Sequence, residues 1–285
     1  MGIKIGDTRE IELLDTIKNE DAINFEVGNK FIELTEDILK TNSSPLLKFT
    51  STSNVEYYIR EYFTAEQGLS LYLNAEDLCG GQTTWVDKSG NGHNFSLHNF
   101  SYTSTSGYNP VDKSLNADGN NDYCYGPINI DFGTGDFTIE IYFKKMNGSV
   151  YQYDTLISKG TYNRTSHWYI YQNSTNINEW TFRSKSSDFK FYTDAAGKYC
   201  HVVIGRKNDT MFCRINGMAI ISHEDEISGH SLNFTNSEHL ALFSRQEGQE
   251  RYFQGGIKIV RFYNRALTLD ESVSNYKEIL HNEEG

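Results

Sequence analysis

The sequence predicts a mainly β protein, an antiparallel sandwich or barrel, on two observations. Tyr and Phe number 19 and 17 among 285 residues, and aromatic and β-branched side chains fit a half-buried pleated surface better than a helix. From residue 68 onward the chain passes through short stretches in which apolar and polar residues alternate, separated by turns and without helical stretches between them. Many short strands at that spacing imply antiparallel layers. Pro is scarce at 3, while Gly at 23 and abundant Ser, Thr and Asn supply the turns. The length suits one large domain with a small appendage, or two modest domains.

The first 66 residues read differently. Ile11, Leu14 and Ile17, then Phe31, Leu34 and Ile38, fall at helical spacings among many Glu and Asp, which predicts one or two amphipathic helices or a mixed helix and strand segment. Thr41-Asn42-Ser43-Ser44-Pro45 breaks this pattern, because Pro disfavours helix at the preceding residue and Ser and Asn favour turns. A second short run, 55–63, leads into the main body.

The body supplies its strands in order: GLSLYLNA (68–75), DFTIEIYFK (136–144), HWYIYQ (167–172), EWTFRS (179–184) and DFKFYT (188–193). KYCHVVIGRKNDTMFCRING (198–217) reads as two strands around a Lys-Asn-Asp-Thr turn. HLALFS (239–244) and YFQGGIKIVRFYN (252–264) follow. Residues 267–280 read as a helix, with Thr268 as N-cap and Glu271 three residues on completing a capping box.

Several function classes are disfavoured. A formal charge of −12 argues against nucleic acid as a partner, since that affinity comes mostly from Lys and Arg. Apolar runs such as Val202-Val203-Ile204 are far shorter than the roughly 20 residues a membrane helix needs. The opening MGIKIGDTREIELLD has acidic residues where a signal peptide needs an apolar core, so synthesis in a cytoplasm is expected. Cys79, Cys124, Cys200 and Cys213 lack CxxC spacing, so free thiols are expected rather than a zinc site. The sequons at Asn94, Asn163 and Asn233 reflect an Asn/Ser/Thr-rich composition.

GLSLYLNAEDL followed by TTWVDKSGNGHNFSL resembles the opening of laminin-G-like, concanavalin-A-like jelly-roll domains, as do SLNADGNNDY (114–123), DFTIEIYF and LISKG (156–160). The hairpin ending in Asn216-Gly217 and the closing YFQGGIKIVRFYNRALTLDESVSNY (252–276) extend the resemblance over 68–276 in consistent order. It implies two antiparallel sheets packed face to face. It also implies that the Trp-x-Asp-x-Ser-Gly-Asn-Gly segment is a structured turn, with Trp85 buried and Gly90 and Gly92 at positive φ.

Related domains often hold calcium near a sheet edge. The resemblance implies Ca²⁺ as candidate cofactor, with Asp87 and Asn91 in the opening turn and Asp118, Asn120 and Asp122 in the DGNND turn as ligands, since calcium prefers carboxylate and amide oxygens. Asp and Asn are equally ordinary turn formers, and Lys258 stands where relatives often carry an acid. For glycan or partner binding, alternation sends Trp168 to one face of its strand and Tyr169 and Tyr171 to the other, with Trp180 on the next strand. A sandwich needs only one inward apolar face per sheet, so some of these four aromatics are expected outside, available to a sugar ring or another chain.

Catalysis has weaker support. Retaining glycoside hydrolysis needs two carboxyls about 5 Å apart, and in the glucanase branch of this fold they lie on one strand as Glu-x-Asp-x-x-Glu. No Glu here has an Asp two residues later, His223-Glu224-Asp225-Glu226 reads as a solvated turn, and no Gly-x-Ser-x-Gly elbow occurs. The expected protein is therefore non-enzymatic: residues 1–66 for attachment and oligomerisation, and 67–285 holding the jelly roll at 68–277. The expected role is a structural or adhesive component of a bacteriophage virion, of tail, neck or head-fibre type. Its partners are copies of itself, other virion proteins and a host-surface glycan. The alternatives are a carbohydrate-binding module of a bacterial surface or secreted system, and then a glycoside hydrolase.

Overall fold

The computed structural model describes the backbone of residues 2–5, 9–13, 46–50 and 56–60, and then residues 65–146, 153–161, 166–173, 176–184, 188–219, 233–246 and 248–284. The chain divides into two compact units, residues 1–65 with 270–285, and residues 66–269.

In the first unit β1 (Gly2–Ile5), β2 (Arg9–Leu13), β3 (Leu46–Thr50) and β4 (Glu56–Arg60) form an antiparallel sheet in the order β1-β2-β4-β3. The helical spacing assigned to Ile11 is thereby corrected: Ile11 lies in a strand and pairs with Ile3. GIKI and REIEL each alternate with period two over lengths too short for a helix to compete. Leu14, Ile17, Phe31, Leu34 and Ile38 lie outside the described residues. The C-terminal helix Leu269–Glu284 starts directly after Thr268, where the sequence places its cap, and runs past residue 280. In this unit the Ala65 amide donates to Asn275 Oδ1 at 2.8 Å.

The second unit contains β5 (Leu69–Asn74), β6 (Thr84–Trp85), β7 (Phe95–His98), β8 (Gly107–Asn109), β9 (Ser114–Asp118), β10 (Tyr123–Tyr125), β11 (Phe137–Lys145) and β12 (Thr155–Lys159). It continues with β13 (Trp168–Gln172), β14 (Glu179–Ser184), β15 (Asp188–Tyr192), β16 (Cys200–Lys207), β17 (Thr210–Ile215), β18 (Met218–Ala219), β19 (Leu240–Leu242) and β20 (Gln254–Tyr263). One eight-stranded sheet has the order β15-β14-β13-β12-β19-β10-β7-β6. The other runs β18-β17-β16-β11-β20-β9-β8, with β5 also paired to β20. Every pairing within the two sheets' strands is antiparallel. The expected sandwich is the observed one.

Alternation decides which side chains fill the interior. From the second sheet Phe137, Ile139, Ile141 and Phe143 of β11 join Val202, Ile204, Leu71, Leu73, Val260 and Phe262, all buried in one cluster with Trp168, Ile170, Trp180 and Phe182 of the first sheet. Each large apolar side chain placed this way contributes about 1.5 to 3 kcal/mol. The hairpin β16–β17 pairs Cys213 with Ile204, and β11 pairs Phe143 with Cys200, so neither thiol faces the other across the ladder. All four cysteines are free.

Candidate functional site

The opening turn is built around one carboxylate. Asp87 Oδ1 accepts from the Tyr72 and Ser89 amides, each at 2.9 Å, and Oδ2 accepts from Ser89 Oγ at 2.8 Å and the His93 amide at 2.9 Å. Trp85 is fully buried, its indole N–H donating to the Asn74 carbonyl at 2.9 Å. Gly90 and Gly92 have φ of 85° and 74°, values that favour glycine. The segment is the structured turn that the resemblance implies.

That geometry bears on the calcium expectation. Four donors fill the lone-pair sites of the Asp87 carboxylate, leaving no oxygen for an ion. Asn91 is oriented by its amide nitrogen, which donates to the Leu69 and Ser70 carbonyls at 3.2 and 3.3 Å and to Ser89 Oγ. The DGNND turn lies elsewhere: Tyr72, beside Asp87, pairs with Arg261, whereas Asp118 pairs with Gln254. Those positions are seven residues apart on one strand, about 24 Å at the usual rise. Asp118 Oδ1 takes the Asn120 amide at 2.9 Å, and Asp122 Oδ2 takes the Asp118 amide at 2.9 Å. Burial, supplemented by the charge of Asp118, pushes the Asp122 carboxyl up to about 6 against its hydrogen bonds from the Asp118 amide and Ser106. The five residues do not fit calcium as one site. Among the described residues no group of three or more His, Cys, Asp or Glu is arranged to hold a metal.

The outward face of the first sheet is the more informative surface. Register aligns one residue from each strand in a row across it: Asp188, Arg183, Tyr169, Ser158, Ala241, Tyr125, Ser96 and Thr84. Two small residues, Ser158 and Ala241, sit at its centre with tyrosines on either side.

On one flank Tyr169 and Tyr171 share this face, as alternation requires, yet each is only 3% exposed. The Arg245 guanidinium lies 5.6 Å from the Tyr169 ring and that of Arg183 lies 5.0 Å from the Tyr171 ring. Both cations are themselves held, Arg183 Nε by Asp188 at 2.6 Å and Arg245 Nε by Glu250 at 3.0 Å. Trp168 and Trp180 point the other way, into the core, which corrects their candidacy as binding residues. Trp168 packs on Phe132, Phe182 and Phe262, and Trp180 on Phe143 and Phe253, so both bridge to the opposite sheet.

The other flank stays half-open. His98 and Tyr123 are directly opposed on β7 and β10. The His98 ring stacks on Tyr123 at 4.9 Å and 13°, and on Tyr125 at 4.8 Å and 10°. His239 leans on Tyr125 at 4.8 Å and is fixed by a 2.7 Å contact between its Nδ1 and the Gly126 carbonyl. The result is a four-ring band of partly exposed side chains. Flat π faces beside hydroxyl and imidazole groups suit a ligand that is apolar on its faces and polar at its rim. Sequence reasoning missed all four residues; the faint signal was the Tyr-Cys-Tyr alternation around buried Cys124.

A second polar cluster lies on the outward side of the other sheet. Glu140 Oε1 is 2.7 Å from His201 Nε2 and 3.3 Å from Arg261 Nη1, and Tyr263 Oη donates to Glu140 Oε2 at 3.4 Å. Glu140, His201, Arg261 and Tyr263 are fully buried, so the cluster is closed to ligand. His223, Glu224, Asp225 and Glu226 lie outside the described residues.

Comparison with known proteins decides the family. The family model described as the Concanavalin A-like lectin/glucanases superfamily matches residues 118–271, more than half the chain. The protein belongs to that superfamily. A search of curated proteins returns no match. Among solved structures this superfamily member is similar to Trypanosoma rangeli sialidase in complex with sialic acid, at 12% identity and TM-score 0.55, over 81% of this chain and 42% of that one. It is similar to domain 4 of AbnA, a GH43 extracellular arabinanase from Geobacillus stearothermophilus, in complex with arabinotriose, at 14% identity and TM-score 0.55, over 73% of this chain and 98% of that one. The binding domain of botulinum neurotoxin DC in complex with rat synaptotagmin II matches at 18% identity and TM-score 0.54, over 74% of this chain and 51% of that one. The chain thus spans about two fifths of the sialidase and half of the neurotoxin domain, and the likeness is one of fold. No described helix is long and apolar enough to cross a membrane.

Proposed function

We propose that the protein is a non-enzymatic binding module that holds a glycan against His98, Tyr123, Tyr125 and His239. The observation that carries this reading is the four-ring band, half-open where the neighbouring tyrosines are covered by guanidinium groups. Stacking on a sugar's C–H face exploits ring area already fixed by neighbouring rings, so little side-chain freedom is lost on binding. Membership of a lectin and glucanase superfamily supports the ligand class.

The wider role we propose is a structural or adhesive component of a phage virion, of tail, neck or head-fibre type. Residues 1–66 would attach it to copies of itself or to other virion proteins, and residues 67–285 would present the lectin-like surface. Support for this step comes from the sequence organisation, a short segment of different composition ahead of a lectin-like body, together with the acidic charge.

The test is an array of neutral and sialylated oligosaccharides probed with the full chain and with Tyr125→Ala. Binding by the parent protein and at least tenfold weaker binding by the folded variant is the expected result. Equal binding by both proteins, or release of reducing sugar from the bound oligosaccharide, overturns the reading.

A further inference from the structure

The inward row of β11 ends on a lysine. Phe137, Ile139, Ile141 and Phe143 precede Lys145 on the same side of the strand, so alternation carries an amine into the end of the core. Lys145 is 0% exposed, and its Nζ contacts Asp154 Oδ2, a carboxylate 1% exposed just before β12. The amine lies 5.2 Å from the Phe253 ring centroid, and Phe253 packs in turn on Phe143 and Trp180. Backbone bonds clamp both ends of the contact. The Lys145 amide donates to the Ala195 carbonyl at 2.9 Å and its carbonyl accepts from Gly197 at 2.8 Å, while the Asp154 carbonyl accepts from the Gln172 amide at 2.9 Å. Lys145 belongs to one sheet and Asp154 leads into the other, so the contact ties the two layers together.

An ion pair in so apolar a place must bear the desolvation of both charges. Burial holds the Lys145 amine below its ordinary range and the Asp154 carboxyl above its own, each opposed by the attraction of the other. Both shifts give the pair a larger share of free amine and carboxylic acid than the same groups would have in water. Those are the reactants of amide formation, held in contact by rigid strands, and fixed proximity removes most of the entropic barrier to joining them.

We infer that Lys145 and Asp154 are the site of an intramolecular covalent cross-link, an isopeptide bond from Lys145 Nζ to Asp154 Cγ. The amine lone pair attacks Cγ, and the C–O bond to the carboxyl hydroxyl breaks. The hydroxyl leaves with one amine proton as water, and the other proton remains on the new amide. Nothing is oxidised or reduced, no co-reactant is needed, and a neutral amide replaces a buried amine and a buried carboxyl. The bond would close the connection between the sheets and survive unfolding.

Intact-mass measurement of the denatured, reduced full chain tests this directly. The expected mass is one water below that of the sequence, with no cleavage after Lys145 and a single internally bridged tryptic peptide, 145–159, that is itself one water light. Asp154→Asn should give the same internally bridged peptide with loss of ammonia instead, and Lys145→Arg should restore the full mass. An intact mass equal to that of the sequence overturns the inference. A one-water deficit that maps to a succinimide at Asp118-Gly119 overturns it equally. Because the parent protein alone decides, a variant that fails to fold does not blur the outcome.

Discussion

The His98 ring lies 10° from parallel to that of Tyr125 and 4.8 Å away, although the two residues stand on different strands and are not directly opposed in the ladder. Tyr125 thus touches both His98 and His239. Removing it should split the band in the middle. Aromatic contacts of this kind contribute about 0.5 to 1.5 kcal/mol each, so Tyr125→Ala should cost roughly tenfold in glycan affinity. Tyr125→Phe, which keeps the ring, should cost less. Titration calorimetry with an oligosaccharide that the parent binds makes the comparison, and equal affinities for all three proteins would remove the band from the ligand's path.

Asp87 should matter for stability and not for metal. Hydrogen bonds to a charged acceptor are worth about 1.5 to 3 kcal/mol each, but four on one carboxylate are not additive. Asp87→Ala should therefore lower unfolding stability by about 3 kcal/mol in denaturant titration, since it strands the Tyr72, Ser89 and His93 amides. Adding calcium or chelator should leave the parent's melting temperature where it is. A loss below about 0.5 kcal/mol would mean that water replaces the carboxylate at no cost, and a chelator-sensitive melt would restore a metal to the structure.

The sequence carried the sandwich because its signals were local: DFTIEIYFK and EWTFRS alternate over enough residues to declare a face, and Asp-Lys-Ser-Gly-Asn-Gly declares a turn. It could show that Trp168 and Ile170 share a face, but not that this face is the inward one, which depends on Phe262 arriving from β20. Tyr123 and Tyr125 lie on a three-residue strand, too short for alternation to register, and they meet His98 only through the β7–β10 pairing. Ile11 is misassigned because its three-residue spacing to Leu14 is weighed over the period-two alternation of Ile11 and Leu13 within the five-residue strand. Binding residues assembled from separate strands leave no contiguous motif to read.

Asp122 makes stability depend on pH in the direction opposite to that of an ordinary paired carboxylate. Its carboxyl, 1% exposed, is raised to about 6, so the folded state holds the proton more tightly than the unfolded chain does. Its contribution is therefore fully present below about pH 4, the unfolded value, and is lost as pH rises through 6. Because Asp118 shares the titration, the change is on the order of 1 kcal/mol. Asp122→Asn should flatten the dependence of unfolding free energy between pH 4 and 6 relative to the parent. If the two profiles run parallel through that window, the proton sits elsewhere.

Thiol chemistry should distinguish one cysteine from the other three. Burial pushes the Cys200 thiol up to about 12, with the charge of Asp194 adding to it against that of Lys198, and burial raises those of Cys124 and Cys213 as well. The thiolate is the reacting form, and these three side chains are also buried. Cys79 is exposed, in the turn that follows β5. A maleimide at neutral pH should therefore add a single label to the folded protein within minutes, at Cys79, and four after unfolding in denaturant. Cys79→Ser should abolish the fast label without changing the melting temperature. Rapid labelling of Cys213 in the native protein would show that the β16–β17 hairpin opens on that timescale, and would contradict the closed core on which the cross-sheet packing of Trp168 and Trp180 depends.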